Sequence, residues 1–303
     1  ASDVYKRQQK DYKGKISAMD RLISEYPESQ YVDDALFEKG RSYVLLENSS
    51  SAAQAFEKLI REFPLSSLAR KAGIQLGLLY YNDNQPEKAL AAYKQVISNY
   101  PGSEEAKIAL QDLKSVYIDL NDINAYASYV NSIGGNIRLE VGEQDSLTYI
   151  AAEKLFMRGD NDGARRSLIN YLQTFPEGAF SSNANFYLGS IAFAKKEFDE
   201  AIQRFKSVIA SGDTKFLEES VARTAEIEYL SKDYPAALES FKRLQIVAEN
   251  PENRQAARLG IMRCALQTGQ QKDALLAADE LLKEPKLSPE LEAEARYGRA
   301  KAY

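Results

Sequence analysis

The chain has 303 residues, 44% hydrophobic and 27% charged, with a net charge of −5 and neither histidine nor tryptophan. That balance fits an ordered chain with a real core rather than disorder, and an acidic sequence with no basic face argues against nucleic acid as a partner. The missing histidine removes the commonest general base and metal ligand, a single Cys264 permits no internal disulfide, and no run approaches the about 18 apolar residues of a membrane span.

Residues 1–9 fit no repeat position and are expected to be a non-native or disordered leader. Residues 10–26 read as the second helix of a helix pair whose first helix is missing. The clearest unit follows at 65–101: Leu76-Gly77-Leu78-Leu79-Tyr80, then Ala89, then Tyr93 four residues on, then Pro101. Two antiparallel helices pack closely only where small residues lie at the crossing, here Gly77 and Ala89. Asn82-Asp83-Asn84-Gln85-Pro86 supplies the turn, since Asn and Asp tolerate left-handed backbone and Pro suits a helix start. Pro101 ends the second helix, and Ser103 caps the next.

The unit recurs along the chain. The Ala89 position returns as Ala52, Ala125, Ala164, Ala201, Ala237 and Ala274, at gaps of 36 to 39 residues. Four residues later stand Phe56, Tyr129, Leu168, Phe205, Phe241 and Ala278. The small residue of the first helix returns as Gly40, Ala152, Gly189, Ala225 and Gly298, while Leu113 and Met262 break the rule and should widen the packing locally. Repeats are predicted at about 30–64, 67–101, 103–133, 145–176, 181–212, 215–250 and 252–284. Residues 288–303 form a last, unpaired first helix. Helix pairs of this period stack into an all-α solenoid. Two arrays are expected, at 10–133 and 145–303, with 134–144 an irregular, glycine-bearing connection that acts as a looser junction, a hinge or a strand-like contact. Because both ends stop at half a repeat without a polar cap, the chain reads as a fragment of a longer array.

Little in the sequence looks like chemistry. Asp160-Asn161-Asp162-Gly163 is the start of a calcium-loop pattern, but the twelfth residue is Tyr171 rather than Glu, and the segment falls at an inter-helix turn. Asp33-Asp34 and Glu218-Glu219 sit where the helix dipole favours carboxylates. No phosphate loop or nucleophile elbow is present. No catalytic residue, metal or cofactor is therefore expected.

The order L-G-x-x-Y, A-x-x-x-aromatic and closing Pro resembles the tetratricopeptide repeat, which implies a right-handed superhelix whose inner groove is lined by positions 2, 5, 9 and 12 of each first helix. Carried onto this sequence, those positions imply a partner-binding strip of Phe37, Arg41, Tyr81, Tyr117, Tyr149, Phe156, Phe186, Phe193 and Tyr229. Its alternative reading is that these rings are core packing between helices. The basic residues Arg41, Lys71, Lys107 and Lys114 do not reproduce the Lys-Asn pattern that clamps chaperone tails. The phrases Tyr26-Pro27-Glu28-Ser29, Phe63-Pro64-Leu65-Ser66 and Tyr100-Pro101-Gly102-Ser103 resemble those of bacterial envelope scaffolds. These are the Tol–Pal coordinator, the outer-membrane assembly lipoprotein and long Bacteroidetes repeat proteins. The resemblance implies a non-catalytic, periplasmic or outer-membrane-associated scaffold holding a protein or peptide partner. Its alternatives are a cytoplasmic site, and a regulatory or targeting arm of a larger envelope enzyme.

Overall fold

A computed structural model describes residues 2–134, 138–212, 215–285 and 287–303. Among the described residues it contains sixteen α-helices and no strand. In chain order they are α1 (Ser2–Glu25), α2 (Val32–Leu45), α3 (Ser49–Glu62), α4 (Ser67–Asn82), α5 (Pro86–Asn99), α6 (Glu104–Asp119), α7 (Ile123–Ile133) and α8 (Val141–Met157). Then follow α9 (Asn161–Thr174), α10 (Ser181–Ala194), α11 (Phe198–Ala210), α12 (Leu217–Leu230), α13 (Tyr234–Val247), α14 (Pro251–Thr268), α15 (Gln271–Leu282) and α16 (Pro289–Ala302). Even-numbered helices are the first of each pair and odd-numbered ones the second.

The helices gather into two compact units, Ala1–Arg138 and Leu139–Tyr303, each an all-α solenoid of antiparallel pairs. The boundary lies inside the expected connection 134–144, but α8 already begins at Val141. Of that connection, expected as a looser junction, a hinge or a strand-like contact, residues 135–137 lie outside the described residues, and residues 138–140 carry no regular structure. Residues 2–9, expected as a non-native or disordered leader, are part of α1, which is helical from Ser2. Its early stretch SDVYKRQQ holds neither Gly nor Pro, so nothing stops the helix from propagating.

Every turn from a first to a second helix is built the same way. One residue adopts positive φ: Glu47, Asn84, Asn121, Gly159, Lys196, Lys232 and Gly269, at intervals of 36 to 38 residues. The next residue donates its N–H back to the closing turn of the first helix, as in Asn48 to Tyr43, Gln85 to Tyr80 and Gln270 to Ala265, over 2.8–2.9 Å. This Schellman closure satisfies carbonyls that the helix end would leave without partners. Only two of the seven positions use glycine, so the side chains at the others sit against a steric penalty. Lys196→Gly and Lys232→Gly should therefore each raise stability, by roughly 0.5–1 kcal/mol, measurable as an upward shift of the denaturant midpoint. A fall in the midpoint would show that these lysines contribute something the backbone argument omits.

The second helices fix the register. Four residues beyond the cap of each lies the crossing residue: Ala52, Ala89, Ala164, Ala201, Ala237 and Ala274, all fully buried. In α7 the cap is Asp122, so the crossing residue is Tyr126 and not Ala125, which is only half-buried. The following core position is then Val130 rather than Tyr129. The Tyr126 ring at this crossing lies 6.0 Å from that of Tyr117 of α6, and the two helices pack less extensively than the other pairs. Met262 does not widen its pair as expected. Gly298 of α16 lies against its sulfur instead, leaving α14 and α15 closely packed. Over the first-helix glycines lie the aromatic residues of the second: Gly40 meets Phe56, Gly77 meets Tyr93 and Gly189 meets Phe205.

Carboxylates near the starts of first helices tie neighbouring repeats together. The Ser66 hydroxyl donates to Asp33 at 2.7 Å. Glu218 accepts from the backbone N–H groups of Glu249 and Asn250 and from the Asn253 amide, at 2.9, 3.2 and 2.7 Å. The α13–α14 turn is thereby pinned to α12. Asp145, buried in α8, does the same for the α9–α10 turn. From sequence alone, Asp33 and Glu218 are expected only as partners of the helix dipole.

Candidate groove site

Three of the nine strip residues stay close to the surface of unit 1. Phe37 is half-buried with its ring 5.9 Å from Phe56. Arg41 is exposed and paired with Glu38 at 3.0 Å. Tyr81 is half-buried with its hydroxyl on Asp119 of α6. Tyr117, by contrast, is buried against Tyr126 at 6.0 Å. In unit 2 Tyr149 is only 2% exposed, stacked on Phe180 at 4.5 Å, with its hydroxyl donated to Glu153. Tyr117 and Tyr149 are thus core side chains, as the alternative reading had it. Phe156 packs on Tyr187 at 4.6 Å and Phe186 stacks on Phe216 at 4.1 Å. Of the nine, Tyr229 lines the open groove between α12 and α14, and Phe193 of α10 meets it only through Arg223.

That groove holds a cavity of about 380 Å³. Its walls follow helical spacing: Glu219, Ala222, Arg223, Glu226 and Tyr229 on α12, and Asn253, Ala256, Leu259, Gly260 and Arg263 on α14. Positions three, four, seven and ten apart share one face of a helix. The floor is Phe241 and Leu244 of α13. Gly260 shapes it, because a Cβ there would lie 2.4 Å from the Phe241 ring. With a side chain at 260, the α12–α14 spacing and the floor could not both persist.

Charges frame the apolar floor in fixed positions. The Arg223 guanidinium lies over the Phe193 ring at 4.9 Å and pairs with Glu219 at 2.8 Å and Glu226 at 2.9 Å. Burial works against its charge, yet the two carboxylates hold its pKa above the ordinary arginine value. Arg263 makes a two-pronged pair with Glu294 of α16, at 2.6 and 2.7 Å, a geometry that arginine's planar fork favours. The hydrogen bond from Arg263 holds the Glu294 carboxyl below its usual 4.5. Arg223 and Arg263 were not among the strip residues, and their only signal in the sequence is helical register with Tyr229 and Leu259.

Glu294, Glu218 and Glu38 all have lowered pKa values, for Glu38 chiefly through its hydrogen bond from Lys15 and for Glu218 through three donors that outweigh burial. Groups depressed in the folded state stabilise it above their unfolded value, here 4.5, and that stability is lost as pH falls through the folded values. Burial raises Asp112, which acts in the opposite sense as a single group. The melting temperature should therefore hold level from neutral pH to about 5 and fall below it, and Glu294→Gln should flatten part of the acid limb. A melting temperature that rises on acidification would rule this out.

Asp160 is the cap of α9, accepting from Gly163 N–H at 2.9 Å, and Asp162 pairs with Lys195 at 2.6 Å. Among the described residues no group of three or more His, Cys, Asp or Glu side chains could hold a metal. Cys264 is fully buried, and burial pushes its thiol up to about 11. No helix among the described residues is long and apolar enough to cross a membrane.

Models of the tetratricopeptide repeat match residues 151–214 and 1–29, the second including the stretch that was expected to be a leader. Those two stretches are thus tetratricopeptide repeats, and the helix pairs between and beyond them keep the same period. A further model, described as the outer membrane lipoprotein YfiO, matches residues 33–111 of this repeat protein. Among solved structures, the repeats are similar to a tetratricopeptide repeat protein from Parabacteroides merdae, at 14% identity over 89% of this chain and 98% of that one, TM-score 0.33. They are also similar to the type IV pilus biogenesis factor PilW, at 14% identity over 88% and 99%, TM-score 0.37. The Naa15/Naa10 complex bound to HypK-THB gives 15% identity over 96% and 43%, TM-score 0.47. No curated protein matches the tetratricopeptide chain significantly by sequence.

Proposed function

We propose that the protein is a non-catalytic scaffold of the bacterial envelope whose α12–α14 groove seats an apolar side chain from a partner protein segment. The observation that carries this reading is the cavity itself, an apolar floor of Phe241, Leu244, Leu259 and Tyr229 between two rails of fixed charge. Apolar surface held open to water by well-paired charges suits an anchor residue, because a partner ring gains burial there without stripping an unpaired ion. Leu230, exposed at the rim, extends the apolar surface. The envelope site is supported by the likeness of residues 33–111 to the outer membrane lipoprotein family.

Selection of displayed random peptides on the protein tests the groove. Enriched sequences should share one aromatic or large aliphatic anchor. Their binding should fall by about 1–3 kcal/mol on Tyr229→Ala and be lost on Ala222→Trp, which fills the cavity, while thermal melting stays near wild type. Peptides that bind the filled variant as well as the parent would refute the assignment.

A further inference from the structure

Unit 1 carries a second cavity of different chemistry, about 540 Å³, between the second helices α1 and α3 and over α2. Its apolar base is Ile23, Leu36 and Ala55, and its walls are Ser17, Ser24, Ser51, Gln54 and Tyr43, with three cations, Arg21, Lys39 and Lys58, against one carboxylate, Asp20. Two further carboxylates, Glu25 and Glu62, stand at its edge as partners of Arg21 and Lys58, so how firmly each cation is held decides what the cavity can accept.

The three cations are not equally committed. Lys39 is fixed, with its ammonium 2.6 Å from Asp20 and 5.9 Å from the centre of the Tyr43 ring. Arg21 reaches Glu25 only at 3.4 Å and Lys58 reaches Glu62 only at 3.9 Å, in each case between well-exposed side chains. Exposed pairs of that length contribute little and exchange readily with solvent ions. One anchored and two loosely held cations, with hydroxyl donors beside them, match an oxyanion of several acceptor oxygens better than an apolar side chain or a single carboxylate.

We propose that this cavity binds a phosphate-type oxyanion. The proposal stands independently of the α12–α14 groove, which lies in the other unit. The ligand chemistry is shared by free phosphate and by the headgroup of an anionic phospholipid, and two experimental arms separate them.

In the first arm, inorganic phosphate is titrated into the whole chain at constant ionic strength, with melting temperature and calorimetry as readouts. In the second, the chain is floated with vesicles of phosphatidylcholine alone or of phosphatidylcholine with phosphatidylglycerol. Saturable stabilisation by phosphate, or flotation only with the anionic vesicles, supports the site and names its source. Arg21→Gln with Lys58→Gln should weaken the observed binding about tenfold or more with an unchanged far-ultraviolet spectrum, and Lys58→Arg should retain it. Arg21 is exposed and the Lys58 side chain partly so, and the far-ultraviolet spectrum checks folding. Failure of both arms, or binding unchanged in the double variant, would overturn the proposal.

Discussion

Asp145→Ala is expected to destabilise unit 2 by about 3–5 kcal/mol, the loss of two hydrogen bonds to a charged acceptor plus two stranded donors. The Asp145 carboxylate is 8% exposed and accepts from the Tyr171 hydroxyl at 2.6 Å and from the Ala179 N–H at 2.9 Å. Tyr171 is itself fully buried, and its oxygen accepts from the Phe180 N–H at 3.0 Å. Burial first, and then the carboxylate, push the Tyr171 phenol above its ordinary pKa, so it remains a donor at every working pH. Removing Asp145 leaves a buried hydroxyl and a backbone N–H without acceptors, whereas Tyr171→Phe leaves the Phe180 N–H without its acceptor while Asp145 keeps the Ala179 N–H, and should cost about 1–3 kcal/mol. Denaturant unfolding of the three proteins checks the order. An Asp145→Ala variant no less stable than Tyr171→Phe would show that water replaces the carboxylate.

This network also marks where sequence reasoning stops. The solenoid was legible because its two strongest constraints are local: a small residue at each crossing and a turn residue at fixed distance from it. Both recur every 36 to 39 residues and need no knowledge of the third dimension. Asp145 and Glu218 act across a whole repeat, and three of the five donors they accept from are backbone N–H groups, which nearly every sequence position offers alike. The register of α7 was misread for a different reason. Ala125 and Ala127 flank Tyr126, so an alanine search finds an alanine one residue early, and only the cap at Asp122 settles which residue faces α6. The nine strip positions divide because a ring on a first helix can face the groove or the neighbouring helix. Tyr149 turned inward because Phe180 supplies a parallel ring at 4.5 Å. The groove pocket went unseen because its opening depends on Gly260, a glycine two positions off the small-residue register.

The pairing of first-helix glycine with second-helix aromatic gives the second large expectation. Phe205→Ala should destabilise by about 3–5 kcal/mol, because the ring is fully exposed to protein and not to water and no neighbour can collapse into its space. Gly189→Ala should also destabilise, since the added Cβ would lie 2.8 Å from the Phe205 ring, closer than packed carbons tolerate. The Phe186 ring at 6.1 Å closes the other side, which leaves Phe205 no room to retreat. If glycine is required at 189 only to admit that ring, its requirement should vanish with the ring. In a Phe205→Leu background the smaller side chain leaves space for the methyl group, and Gly189→Ala should become neutral or stabilising, because alanine is the better helix former by roughly 1 kcal/mol. The cycle of single and double variants should then show a coupling of about 1 kcal/mol or more in favour of the double. Additive effects would mean that Gly189 is needed for backbone reasons and not for the ring. The reading of glycine over aromatic at Gly40 with Phe56 and Gly77 with Tyr93 would fall with it, because all three rest on the same contact.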